Sequence, residues 1–250
     1  MSVRNRITQV LRVASWEVTG LANPLFLILL SFTHFFFIPS AFVPNLIPLH
    51  DNSDPFPTAA QDLFTNIAGA AVAKLYVPLI LIVSLSMTNT LTREFDSGLA
   101  KFYLSLPVSR LAVLLGKLLA NFLLVYLVEV FACLTYAYLM EPSNFLNYVS
   151  NIDSVAVVFL HTFFELFFIL GVTTWVCTLA PKSWVAVVLS TLSLYSFMIV
   201  NELQPRLKWY LPPYCFVPPF FGTYTLLFLA VSAVLFLLST YLFVRRVEVS

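Results

Sequence analysis

Residues 111–140 read LAVLLGKLLANFLLVYLVEVFACLTYAYLM. A membrane β-strand is a short alternating segment of roughly 10 residues. This run is far longer and does not alternate, which suits a helix crossing a hydrocarbon core of ~30 Å. Comparable runs cover about 21–43, 154–180, 184–200 and 223–244, with a shorter one at 75–91. The whole chain agrees with them: 60% of its 250 residues are hydrophobic and 10% are charged. Soluble domains carry about 25% charged residues, so a soluble globular protein is excluded, and disorder with it. Thirteen Lys and Arg against twelve Asp and Glu leave a net charge of +1, which is no nucleic-acid footprint. The fold class is therefore an all-α polytopic membrane protein of six spans, one domain over 1–250.

The remaining segments set the topology. Residues 3–19, VRNRITQVLRVASWEVT, place Val3, Ile7, Val10, Ala14 and Val18 at helical spacing, opposite Asn5, Thr8, Arg12, Ser15 and Thr19. That pattern fits an amphipathic helix in the membrane interface; a plain cytoplasmic extension is the alternative. The 21–43 run is too long for a signal-peptide core and no small-residue cleavage site follows it. Residues 44–62 are Pro-, Asn- and Asp-rich and read as a loop. Lys74 belongs near the outer interface, its ammonium reaching for headgroups. Residues 141–153 read as an acidic outer loop, 181–183 as a short turn, and 201–222 as an outer segment whose five prolines bar an ordinary spanning helix. With both termini inside, ten basic residues lie on the inner side, and only Lys74, Arg206 and Lys208 lie outside, as the positive-inside rule asks. Cys133, Cys177 and Cys215 match no metal or redox spacing and read as small apolar fillers.

The inner loop between spans two and three, 92–110, reads TREFDSGLAKFYLSLPVSR. Asp96 can cap a helix starting at Ser97. Leu106, preceding Pro107, should end it, and Pro107 or Ser109 starts the next span. Leu99, Phe102, Tyr103 and Leu106 then face one way, and Arg93, Glu94 and Lys101 the other. Such a helix is either an interfacial anchor or a knob for a groove on a cytoplasmic partner.

The string from Glu94 to Lys117, EFDSGLAKFYLSLPVSRLAVLLGK, resembles the signature of ABC type-2 transporter permeases. Glu94, Gly98, Leu104, Ser105, Pro107, Val108, Arg110, Gly116 and Lys117 occupy the motif positions; Leu99 stands where the family often has Thr or Ser. The resemblance extends to the N-terminal helix, the six spans and the proline-rich segment before the last one. It implies a permease that forms the translocation path as a dimer with a second copy or a paralogue. Separate cytoplasmic ABC ATPase subunits would drive it, with ATP and Mg on those partners and no cofactor or enzymatic activity in this chain. It further implies an exporter in the plasma membrane, with an elbow helix at 3–19 and a coupling helix within 94–106. Glu94, Phe95, Gly98, Leu99, Lys101, Phe102 and Tyr103 would dock the ATPase. Consistently, the sequence has no G-x-x-x-x-G-K-[ST] phosphate loop; Gly116-Lys117 lacks the earlier glycine and the following Ser or Thr.

Ionisable residues at membrane depth mark functional candidates. Here they are His34, Glu129, His161 and Glu165. Glu129 and Glu165 each lie roughly 16 Å below their outer helix ends at ~1.5 Å per residue. His161 and Glu165 share a helix face. Three uses stay open: a polar path for substrate or protons, metal handling by His161 and Glu165 with Glu129 or His34, and plain interhelical contacts. An ATPase-independent secondary transporter or channel would use the same residues, but the internal repeat such proteins carry is not visible. An intramembrane enzyme would need a nucleophile that is not apparent. The aromatics around 209–221 fit an interface belt or a substrate gate.

Overall fold

The computed structural model describes residues 3–21, 76–96, 108–140, 142, 145–150, 152–217 and 222–249. Every regular element among them is helical: α1 (Val3–Leu21), α2 (76–96), α3 (Arg110–Met140), α4 (Phe145–Ser150), α5 (Ile152–Leu179), α6 (Ser183–Leu203) and α7 (Thr223–Val249). Two 3₁₀ turns, Pro205–Tyr210 and Tyr214–Phe216, join α6 to α7.

Four helices are long and apolar enough to cross a membrane: Arg110–Leu139, Val155–Leu179, Ser183–Leu203 and Thr223–Arg245. They correspond to expected spans three to six. The expected first span at 21–43 lies outside the described residues save for its first position. The second is represented by the shorter apolar helix Tyr76–Thr92. Helix α2 does not stop at Leu91 but runs on through Asp96. Asp96 is the last described residue of that run, and the helix expected from Ser97 lies outside the described residues. The passage beyond Leu91 goes through a π-turn, Thr88–Thr92, closed by the Arg93 N–H donating to the Thr88 carbonyl. The 141–153 loop also differs, because it contains α4. Phe145 there meets Tyr138 edge-on at 5.4 Å, a contact that favours one apolar turn over an open loop.

Helix α3 is the spine. Its 31 residues give about 46 Å at ~1.5 Å per residue, more than a ~30 Å core requires. The Ser109 hydroxyl caps it by accepting from the Ala112 N–H at 3.2 Å, as its place after Pro107 suggested. Helix α1 lies along the N-terminal half of α3. The face it buries takes in Val10, Ala14 and Val18 of the predicted stripe but not Ile7. Val13 and Ala14 are buried and Gln9, Val10, Glu17 and Val18 are partly covered, while Ile7, Leu11 and Trp16 are exposed. The helix is thus apolar on two sides, one against α3 and one free. The contact is close because Gly116 has no side chain. A Cβ there would stand 2.6 Å from the Val13 Cβ and 3.0 Å from the Ala14 nitrogen.

Helix α5 sits centrally, against α3, α6 and α7. Gly171 lets it approach α7, where an added Cβ would lie 3.0 Å from the Ser232 Cβ. Small residues at helix contacts are how bundles gain dispersion in lipid, where no hydrophobic drive joins the helices. Tyr76, Leu79, Ile80, Ile82, Val83 and Met87 on α2, with Leu166, Phe168, Ile169, Leu194 and Phe216, belong to the main apolar core.

The described part of the proline-rich segment packs into the bundle. Pro212 to Val217 are buried. Non-helical backbone at membrane depth survives only inside protein with its polar groups satisfied, and three helices supply donors. Asn201 Nδ2 on α6 donates to the Pro212 carbonyl at 3.0 Å. Thr225 Oγ1 on α7 donates to the Cys215 carbonyl at 2.6 Å. His161 Nδ1 on α5 lies 3.0 Å from the Phe216 carbonyl. Residues 211–217 therefore form a plug pinned to the bundle. Thr225→Val, which keeps the shape and removes the donor, is expected to lower stability by about 1 kcal/mol, read as the thermal midpoint in detergent. Cys215, expected in an open loop, is buried in this plug, and Cys133 and Cys177 are buried and free.

Candidate functional site

Two polar sites interrupt the apolar bundle. The first is near the N-terminal end of α3. Lys117 on α3 is 1% exposed, which for a lysine requires partners. Its ammonium donates to Glu17 on α1 and, at 2.7 Å, to Glu94 on α2. One cation thus joins three helices. Burial pushes the Glu94 carboxyl above its ordinary range; Lys117 pulls it down and Glu17 pushes it up, and burial wins. One turn further along α3, Asn121 donates to the Lys117 carbonyl at 2.9 Å and to Thr90 Oγ1 at 3.4 Å, and accepts from Ser86. The π-turn faces α5 as well: Thr92 donates to the Cys177 carbonyl at 3.2 Å and Thr88 lies 3.6 Å from the Cys177 sulfur. A π-turn re-aims side chains and is frequent at functional sites. Here it sends three buried threonines, Thr88, Thr90 and Thr92, into two interfaces.

The second site lies about 18 Å further along α3, twelve residues on at ~1.5 Å each. Glu129, His161 and Glu165 are each 1% exposed. His161 Nε2 stands 3.2 Å from Glu165 Oε2, close enough for an ion pair but out of line for a hydrogen bond. The Phe216 carbonyl can only accept, so Nδ1 carries a hydrogen and Nε2 turns to Glu165. Glu129 and Glu165 are near enough to interact across the α3–α5 contact. Tyr76, fully buried on α2, lies in the field of Glu165 and beside Cys215. Among the described residues, Tyr76 Oη, Glu129 Oε2, His161 Nε2 and both Glu165 oxygens are buried without a hydrogen-bond partner, as are atoms of Ser84, Thr162, Thr191 and Asn201. Buried polar atoms are rarely left so.

The sequence candidates divide accordingly. Glu129, His161 and Glu165 come together. Glu94 is positioned by Lys117. The backbone of Phe95 is helical within Arg93–Asp96. His34, Gly98, Leu99, Lys101, Phe102 and Tyr103 lie outside the described residues. Among the described residues no three His, Cys, Asp or Glu side chains gather as metal ligands. Sequence reasoning missed Tyr76, Glu17, Ser86 and Asn121, and used Lys117 only as a motif residue. The available signal was the four-residue step Lys117, Asn121, Val125, Glu129, which puts three polar groups on one stripe of α3.

A family model described as "ABC-2 family transporter protein" matches residues 16–205. No curated protein and no solved structure matches the chain.

Proposed function

The chain belongs to the ABC-2 transporter family, and from that premise we propose that it is the permease of an ATP-driven exporter, working as a dimer on two cytoplasmic ABC ATPase subunits. Residues 94–106 form the coupling element that docks in the ATPase, through Phe95, Gly98, Leu99, Lys101, Phe102 and Tyr103, with Glu94 tying it to Lys117. Helix α1 is the elbow, its Ile7, Leu11 and Trp16 seated in the inner leaflet of the plasma membrane, with both termini cytoplasmic. The permease binds no cofactor; ATP and Mg belong to the ATPase. His34, Glu129, His161 and Glu165 line the translocation path.

One observation carries this reading. The Glu17–Lys117–Glu94 clamp ties the proposed elbow and span three to Glu94, the first residue of the proposed coupling element. A push on residues 94–106 is then delivered to α1 and α3 together instead of bending one helix end, as rigid-body rocking of the permeases requires. The test is co-purification with an ABC ATPase encoded beside this chain. Glu94 belongs to the clamp, so the docking variant is Phe102→Ala with Tyr103→Ala. The expected result is a stable wild-type complex lost in the variant, with expression and monodispersity retained. A well-folded chain that holds no such ATPase overturns the reading.

A further inference from the structure

We propose that Glu129, His161 and Glu165 form a proton-exchange site in the membrane core, beneath the 211–217 plug, so that opening of the permease is linked to proton uptake or release. The inference rests on the permease reading only for what the proton accompanies. It starts from an imbalance. Two carboxyls and an imidazole share a dry site in which each residue is 1% exposed. No Lys or Arg among the described residues pairs with either carboxyl; the lysine ion pairs that are described are those of Lys117, near the N-terminal end of α3. Two ionised carboxylates cannot face each other there at tolerable cost. Some cation must be present, and a proton is the one that needs no cavity.

The groups around the carboxyls leave that role to them and His161. Helix α2 contributes Tyr76, α3 contributes Tyr126 and Cys133, and the plug contributes Cys215. All are neutral at physiological pH in their ordinary state, so none supplies a charge. The unpartnered oxygens and the free Nε2 provide several positions for one proton within a single cluster. His161 also holds the plug through the Phe216 carbonyl, so any movement of the plug that admits water reaches the same imidazole. On exchange, one carboxyl O–H bond breaks, the proton passes to water on the side to which the site has opened, and no electrons move.

The experiment is infrared difference spectroscopy of the purified chain in nanodiscs, titrated in H₂O and D₂O, with carboxyl-¹³C glutamate to assign the bands. A protonated glutamic-acid carbonyl band is expected at neutral pH. It should move in D₂O, disappear as the pH is raised, and be lost or displaced in Glu129→Gln and in Glu165→Gln. The wild-type titration needs no variant, so a misfolded substitution does not blunt it. Absence of the band at neutral pH overturns the proposal. So does a band that never titrates, which marks a fixed structural acid, or one indifferent to both substitutions. The measurement uses the permease alone. A negative result therefore leaves the ATPase reading standing, and failure of ATPase docking leaves this site standing.

Discussion

Lys117→Met is expected to lower the stability of the purified chain by about 3–5 kcal/mol, the range for breaking a buried ion pair by removing one partner. The cost lies in what remains: Glu17 and Glu94, mostly buried, facing one another without a cation. This origin gives the prediction a second arm. Adding Glu17→Gln and Glu94→Gln to Lys117→Met removes the stranded charges, and most of the loss should return, as buried ion pairs replaced whole are often near neutral. A triple variant as unstable as Lys117→Met would mean that lysine packing, not charge, holds the three helices. The readout is the thermal midpoint in detergent. The pH dependence has a defined sign. Burial raises the Glu94 carboxyl in the folded state, so its contribution is full below the ordinary carboxyl range and is lost as pH rises through the raised folded value. Glu94→Gln should flatten that part of the profile.

Gly116→Val is expected to cost about 1–3 kcal/mol, the usual range for overpacking, and to loosen α1 from α3. The geometry leaves no easy escape. The atoms an added Cβ would meet are the Val13 Cβ and Cγ1 at 2.6 and 2.7 Å and the Ala14 nitrogen at 3.0 Å. A Cβ and a backbone nitrogen cannot swing aside, so the helix must move. Any such movement also stretches the Glu17–Lys117 contact one residue along. Protease sensitivity of the N-terminal helix should rise in step with the drop in thermal midpoint. Val13→Gly combined with Gly116→Ala should recover part of the packing, because it moves the missing Cβ to the other helix. An N-terminal helix as protected in Gly116→Val as in wild type would overturn the close-contact account.

The clamp also revises how the motif is understood. Glu94, Gly116 and Lys117 were legible as positions of a family signature, and the natural inference for Glu94 was partner docking. In the folded chain Lys117 takes Glu94 inward, and Gly116 is the gap that lets α1 reach them. The signature thus mixes residues that tie the start of α3 to its neighbours with residues proposed to meet the ATPase. Spacing along the chain cannot separate the two groups, because both occur in one stretch of twenty-four residues, Glu94 to Lys117.

The sequence by itself determined the helical membrane class, the positions of the apolar helices expected as spans three to six to within a few residues, and the placement of Glu129, His161 and Glu165 well inside two of them. These are properties of local composition. An apolar run long enough to cross lipid has to close its backbone hydrogen bonds within itself, and the place of a residue along it follows from the rise per residue. The tertiary structure decided the partners: which face of α1 is covered, that Lys117 joins Glu17 to Glu94, and that the proline-rich segment folds back onto His161. Those choices depend on close approaches at Gly116 and on three carbonyls of an irregular segment finding donors on three different helices. No local periodicity encodes them, because each requires residues brought together from distant parts of the chain.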